Sequence, residues 1–174
     1  MQEITGNLFD YINKVDIICI TTNGFVKANG ECVMGKGCAK EATRRWPGIA
    51  KILGSKLQEG TNIVHRLIQE ENTIIASFPV KPVCGVCKED HSNVVRHMRN
   101  KFKPGDKVPG WACVADPAII QGSAIYLAEI VNTYGFKNIL LPRPGCGAGE
   151  LNWEDIKKIL NKYFDDRFKC ITFK

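Results

Sequence analysis

The stretch Asn138-Ile139-Leu140-Leu141-Pro142-Arg143-Pro144-Gly145-Cys146-Gly147-Ala148-Gly149-Glu150-Leu151-Asn152 governs how the rest of the chain is read. Its first four residues, with Ile139, Leu140 and Leu141 apolar, suit a strand covered on both faces. Glycines at 145, 147 and 149 then interrupt any regular element, after which Trp153, Ile156, Leu160 and Tyr163 recur at helical spacing. A strand, a glycine turn and a helix start, in that order, offer free backbone N–H groups and the positive end of a helix dipole to an anion. Glycine suits the turn because it lets the backbone approach a phosphate closely and accepts positive φ. A second loop of the same design, Met34-Gly35-Lys36-Gly37-Cys38-Ala39, also precedes a helix. Two such loops on neighbouring strand ends suit a diphosphate with a sugar on each side. The Gly-x-x-x-x-Gly-Lys-Ser/Thr of a P-loop is absent, as is a Gly-x-Gly-x-x-Gly with an acidic ribose binder about twenty residues on, which disfavours both of those nucleotide classes.

Outward from these loops the pattern alternates strands and helices, the mark of an α/β layer fold. Val15 to Thr21 is nearly all apolar and β-branched, and reads as a buried strand. Lys40 to Trp46 reads as a short helix, with Pro47 opening the next one, whose Ile49, Ile52, Leu53 and Leu57 share a face and which Gly60 closes. Ile63 to Ile68 and Thr73 to Phe78 form a strand pair turned at Glu70-Glu71-Asn72. Asp116-Pro117 starts a helix on which Ile120, Ala124, Leu127, Val131 and Tyr134 line one side and which Gly135 stops. Lys169 to Phe173 supplies the last strand. Pro79 to Ala115 is the exception: its 37 residues show weak periodicity, and loops of that length tend to be functional.

The chain has 174 residues, 44% of them hydrophobic, enough for one sizeable core and short for two, so a single domain over 1–174 with an insertion at about 79–115 is expected. No run approaches the roughly 18–20 apolar residues needed to span a bilayer, and Met1-Gln2-Glu3-Ile4 lacks a basic region leading into an apolar one. The expectation is a cytoplasmic protein with no membrane partner. Several of the eight cysteines, such as Cys19 and Cys170, sit in apolar runs where a buried reduced thiol is ordinary. The net charge of +6 is uneven. The insertion carries seven bases, Lys81, Lys88, Arg96, Arg99, Lys101, Lys103 and Lys107, against Glu89, Asp90 and Asp106, which suits a polyanion such as nucleic acid as well as a solvated loop.

Four segments in order, Thr5-Gly6-Asn7-Leu8-Phe9, Thr21-Thr22-Asn23-Gly24, Val33 to Ala39, and Leu141 to Gly149 with Leu151 and Trp153, resemble the macrodomain family. They are closest to the branch that holds the DNA ADP-ribosyl glycohydrolase antitoxins and the ADP-ribose-1''-phosphate phosphatases. The insertion falls outside the common pattern and is similar to that of phage and bacterial relatives. The resemblance implies a three-layer α/β/α fold with a central mixed sheet and ADP-ribose lying across its strand ends. By position it puts Asn7 and Leu8 near the adenine, although many members carry aspartate where Asn7 stands. It implies Gly35, Lys36, Gly37 and Cys38 at one phosphate, and Pro144, Gly145, Cys146, Gly147, Ala148, Gly149 and Glu150 around the second phosphate and distal ribose. Asn23 matches an asparagine that meets the distal ribose, while on turn chemistry alone it reads as a turn residue.

Phe78-Pro79-Val80-Lys81 is similar to the segment bearing the functional lysine of the DNA-directed glycohydrolases, which makes Lys81, with Asn23, the candidate catalytic pair. The bland reading of Lys81 is a surface lysine. Some relatives carry aspartate in the second glycine loop where this chain has Gly149, and Glu150 is the adjacent acid. Cys146 before a helix start could be a stabilised thiolate or a small loop filler. Cys84, Cys87 and His91, with His97 and Cys113 near, have a spacing compatible with zinc, though a single Cys-x-x-Cys is a weak signal; no cofactor or metal is expected. The expected activity is hydrolysis of an ADP-ribose derivative at the distal ribose, with ADP-ribose or an ADP-ribosylated conjugate as partner. The alternatives are a non-catalytic binder that sequesters an ADP-ribose-containing signal, or a plain nucleic-acid module.

Overall fold

A computed structural model describes residues 1–173. A six-stranded sheet runs in the order β1 (Gln2–Thr5), β8 (Phe168–Thr172), β7 (Ile139–Pro142), β2 (Ile17–Thr22), β4 (Thr73–Pro79), β3 (Arg66–Glu70). All neighbours are parallel except β3, which pairs antiparallel with β4, so the sheet is mixed. The parallel central strands need cover on both faces, and β2 shows how they obtain it. Ile17 and Cys19 pack with Phe78, Leu141 and the helices α3 (Pro117–Tyr134) and α4 (Trp153–Leu160). Ile18 and Ile20 point the other way, towards Ala39, Ala42, Ile49 and Leu53 of α1 (Gly37–Arg45) and α2 (Ile49–Glu59). The result is a three-layer α/β/α arrangement.

Helix ends follow local chemistry, with some departures from the expected bounds. Asp116 accepts from the Ala118 N–H at 2.8 Å and Gly135 closes α3 at φ 71°, both as the sequence suggests. Tyr134 leaves the buried face of α3 and is 72% exposed, because it sits in the last turn beyond the reach of the sheet. α1 begins three residues earlier than periodicity indicates, at Gly37, whose φ of 58° lets the chain turn straight from the glycine loop into the helix. Pro47 lies outside α2: the chain reverses through Gly48 at φ 100°, and the helix starts at Ile49. Ile52 is 39% exposed, while Ile49 and Leu53 carry the packing. β1 has no apolar pattern to announce it, since three of its four residues are exposed; pairing with β8 makes it a strand.

The insertion is ordered and largely irregular. A two-stranded ribbon, β5 (Cys84–Val86) with β6 (Lys107–Pro109), packs with single 3-10 turns at Arg96–Lys101 and Gly110–Ala112 around a small core of Cys87, Val94, Val108, Ala112 and Cys113. This core is separate from the two that flank the sheet. Among the described residues no helix is long and apolar enough to cross a membrane.

Candidate functional site

The carboxyl ends of β2, β4 and β7 open onto a cavity of about 1460 Å³, larger than the roughly 300–1,000 Å³ of ordinary small-molecule sites. Both glycine loops form its walls. The first leads into α1, whose N-terminus has no side-chain cap, so its leading N–H groups are open to a ligand. The second follows β7. Its Cys146, Glu150 and Leu151 N–H groups are satisfied by Arg143, Gly147 and Gly145 carbonyls, while those of Gly147, Ala148 and Gly149 donate to no acceptor among the described residues. The helix after this loop contributes less than expected. Asn152 caps α4 by accepting from the Glu154 and Asp155 N–H groups, and both of those residues are acidic, so the loop amides rather than a helix dipole face the cavity.

Two glycines in the second loop are demanded by geometry. Gly145 sits at φ 75°, and a Cβ there would meet the Ile120 side chain at 2.8 Å. A Cβ on Gly149 would lie 2.4 Å from the Gly145 carbonyl oxygen and 2.6 Å from Ala115 Cβ. The loop as folded therefore excludes an aspartate at 149. Glu150, at φ 63°, does not take over its place in the cavity centre: its Oε1 accepts from the Arg96 N–H at 2.9 Å and so ties the loop to the insertion.

Lys81 is 7% exposed, which removes the reading of a surface lysine. Two residues past the end of β4, its Nζ donates to the Ala148 carbonyl at 3.0 Å and the Trp111 carbonyl at 3.2 Å, joining the second loop to the insertion at the cavity wall. Burial pushes its ammonium down to about 8, opposed by the nearby Cys113 and Glu150. Asn23 lines the same cavity, but its amide holds the turn: Nδ2 donates to the Val33 carbonyl at 2.7 Å and Oδ1 accepts from the Phe25 N–H at 2.9 Å. Asn7 lines the far end and spends an Oδ1 lone pair capping the Leu8–Tyr11 turn through the Phe9 N–H.

Leu8, Gly35, Lys36, Gly37, Cys38, Gly145, Gly147, Ala148, Gly149 and Glu150 all border the cavity. Pro144 and Cys146 do not; they turn into the body of the loop, where the Cys146 thiol faces the Pro144 carbonyl and burial pushes it up to about 11. That environment opposes a thiolate. The zinc set also fails to converge. Cys84 is exposed, Cys87 is buried against the Lys88 carbonyl, and His91 bonds the Phe102 carbonyl, because a strand at Cys84–Val86 sends residues three apart to opposite sides. Among the described residues no three His, Cys, Asp or Glu side chains are grouped to hold a metal.

Several cavity residues were not evident from the sequence. Trp111 and His97 come from the aperiodic insertion, where nothing in the spacing marks them. Arg143 also lines the cavity, held by Glu3 at 3.2 Å and lying 4.8 Å over the Trp153 ring. Glu3 itself is kept below the usual carboxylate range by hydrogen bonds from Lys157 and Trp153. Its position on the unpatterned β1 hides this link in the sequence.

No protein-family model and no curated protein matches the chain. Solved structures do. The macrodomain of Mycobacterium tuberculosis DarG superimposes with a TM-score of 0.67 at 19% identity, over 99% of this chain and 97% of that one. The macrodomain of Thermus aquaticus DarG gives 0.67 at 17%, over 99% and 97%. Thermosipho africanus DarTG, solved in complex with ADP-ribose, gives 0.65 at 16%, over all of this chain and 42% of the other. The fold is that of a macrodomain.

Proposed function

We propose, starting from that macrodomain fold, that the cavity binds ADP-ribose with its diphosphate between the two glycine loops, and that the chain hydrolyses an ADP-ribose derivative at the distal ribose. One observation carries the reading: the free amides of residues 147–149 and the uncapped start of α1 border one cavity, whose wall also holds the buried Lys81. Backbone N–H groups fixed in place suit phosphate oxygens and need no reorganisation when an anion arrives. The presence of ADP-ribose in the Thermosipho DarTG complex supports the choice of ligand.

Lys81 takes the chemical role. As an ammonium it stabilises negative charge on an opened or departing oxygen at the anomeric carbon; as an amine, made accessible by its lowered affinity for a proton, it attacks that carbon as the C–O bond to the leaving group breaks, the amine's proton passes to the departing oxygen, and water then cleaves the N–C bond and restores the lysine. The exclusion of a side chain at 149 favours an arrangement without an acidic partner in the loop. The candidate substrates are ADP-ribosylated DNA, ADP-ribosylated protein and ADP-ribose-1''-phosphate, with the basic insertion favouring a polyanionic conjugate. Incubation with all three is expected to give turnover of at least one, sharply lowered by Lys81→Ala.

A second reading has its own support. Both bonds made by Lys81 go to backbone carbonyls and Asn23 is occupied in its turn, as befits a wall rather than a reaction centre. Calorimetric binding of ADP-ribose with no turnover on any of the three substrates would establish a non-catalytic binder. Absence of heat from ADP-ribose at millimolar concentration would overturn both readings.

A further inference from the structure

The insertion reaches the cavity at one place where it touches both loops. The N–H of Arg96 is held by Glu150 of the second loop, and the next residue, His97, receives a hydrogen bond from Lys36 of the first loop at 3.3 Å between Nζ and Nε2. Residues 95–97 therefore form a strap across the gap between the two sets of amides. The strap is anchored from behind: Val95 N–H bonds the Ala112 carbonyl, Val94 and Val95 are buried, and Val94 belongs to the insertion's own core.

The contact between Lys36 and His97 is chemically odd. A lysine ammonium normally faces a carboxylate, yet among the described residues Lys36 has no ion pair, and it donates to an imidazole that must be neutral to accept. Two side chains able to donate to an anion meet over the space where the loops leave unpaired N–H groups. We infer that His97 is a diphosphate-binding residue: on arrival of the ligand the Lys36 ammonium leaves the ring, and Lys36 and the His97 ring N–H both donate to phosphate oxygens across the two loops. This rests on the proposed ADP-ribose reading for the identity of the ligand and adds to it a contact made by the insertion.

Lys36 contacts the His97 ring, Arg96 precedes it in the chain, and the other charged groups lining the same cavity are Lys40, Glu41, Arg44 and Arg45 of α1, Lys81, and Arg143 and Glu150 of the second loop.

Titration calorimetry on the full chain tests this with ADP-ribose, ADP, adenosine and inorganic pyrophosphate. His97→Ala and His97→Gln are expected to weaken ADP-ribose, ADP and pyrophosphate by about tenfold, the scale of one charge-assisted hydrogen bond, and to leave adenosine unchanged. Equal affinities in wild type and His97→Ala overturn the inference, as does an equal loss for adenosine, which would mark a packing role. If wild type ignores ADP-ribose but binds pyrophosphate in a His97-dependent way, the proposed ligand fails and the strap stands. Failure of both probes overturns both.

Discussion

At the scale of single residues, Lys81 is a cation in a place that resists charge. Its ordinary value of 10.5 is lowered to about 8 by burial, so between those two pH values the unfolded chain holds a proton that the folded chain has released. Stability that depends on Lys81 must then rise with pH across that window and stay flat below about 8. Denaturant titrations from about pH 7 to about pH 10 on wild type and Lys81→Met should show this rise in the difference between them; a constant difference would contradict it. The same release predicts that turnover, if the amine attacks, climbs with pH to a plateau above about 8, and that Lys81→Ala lowers it by roughly 10²–10³-fold or more. Gly149 is the opposite case, a residue defined by what cannot stand there. Gly149→Ala places a methyl carbon 2.4 Å from a backbone oxygen, so the loop must shift. A loss of about 1–3 kcal/mol in unfolding free energy is expected, together with weaker ADP-ribose binding.

Among elements, α3 does more than cover the sheet. Ile120 is fully buried and its Cδ1 fills the space beside Gly145, while Ser123 Oγ donates to the Pro79 carbonyl at the end of β4, two residues before Lys81. Ile120→Ala should cost about 2–5 kcal/mol and also loosen the second loop, seen as faster amide exchange at residues 145–149. The insertion's own core shares no residue with the two main ones, so it should open as a separate unit. Val108→Asp should raise exchange across residues 84–113 and weaken ligand binding while exchange in β2 and β7 stays slow. These elements also show what the sequence discloses. α3 was readable because its cap, its stop and its apolar stripe all express local rules, and both glycine loops stood out because positive φ and close approach leave glycines behind. β1 was invisible, since pairing with β8 rather than patterning makes it a strand. Trp111 and His97 were invisible because the tertiary course of an irregular segment brings them to the cavity. Pro144 and Cys146 were assigned to the ligand through their neighbours, and only the turn of the loop shows that they face inward.

For the whole molecule, a net charge of +6 sets how partners are drawn in. In the proposed site free ADP-ribose meets loop amides and few charged side chains, so its affinity should fall only shallowly with salt, whereas a nucleic-acid conjugate that neutralises the bases of the insertion should lose affinity with a slope near the number of phosphates engaged. Parallel titrations at about 50 mM and about 200 mM salt separate the two, and identical slopes would remove the insertion from conjugate binding. The sheet carries a temporal consequence as well. Residues 2–5 pair within the sheet only with residues 169–172. On a ribosome, residues 2–5 wait for residues 169–172 to be made, and Glu3 waits with them to steady Arg143 beside the second loop. A nascent chain halted before Phe168 should thus hold a half-built pocket, and competence to bind should arrive abruptly as β8 clears the exit tunnel.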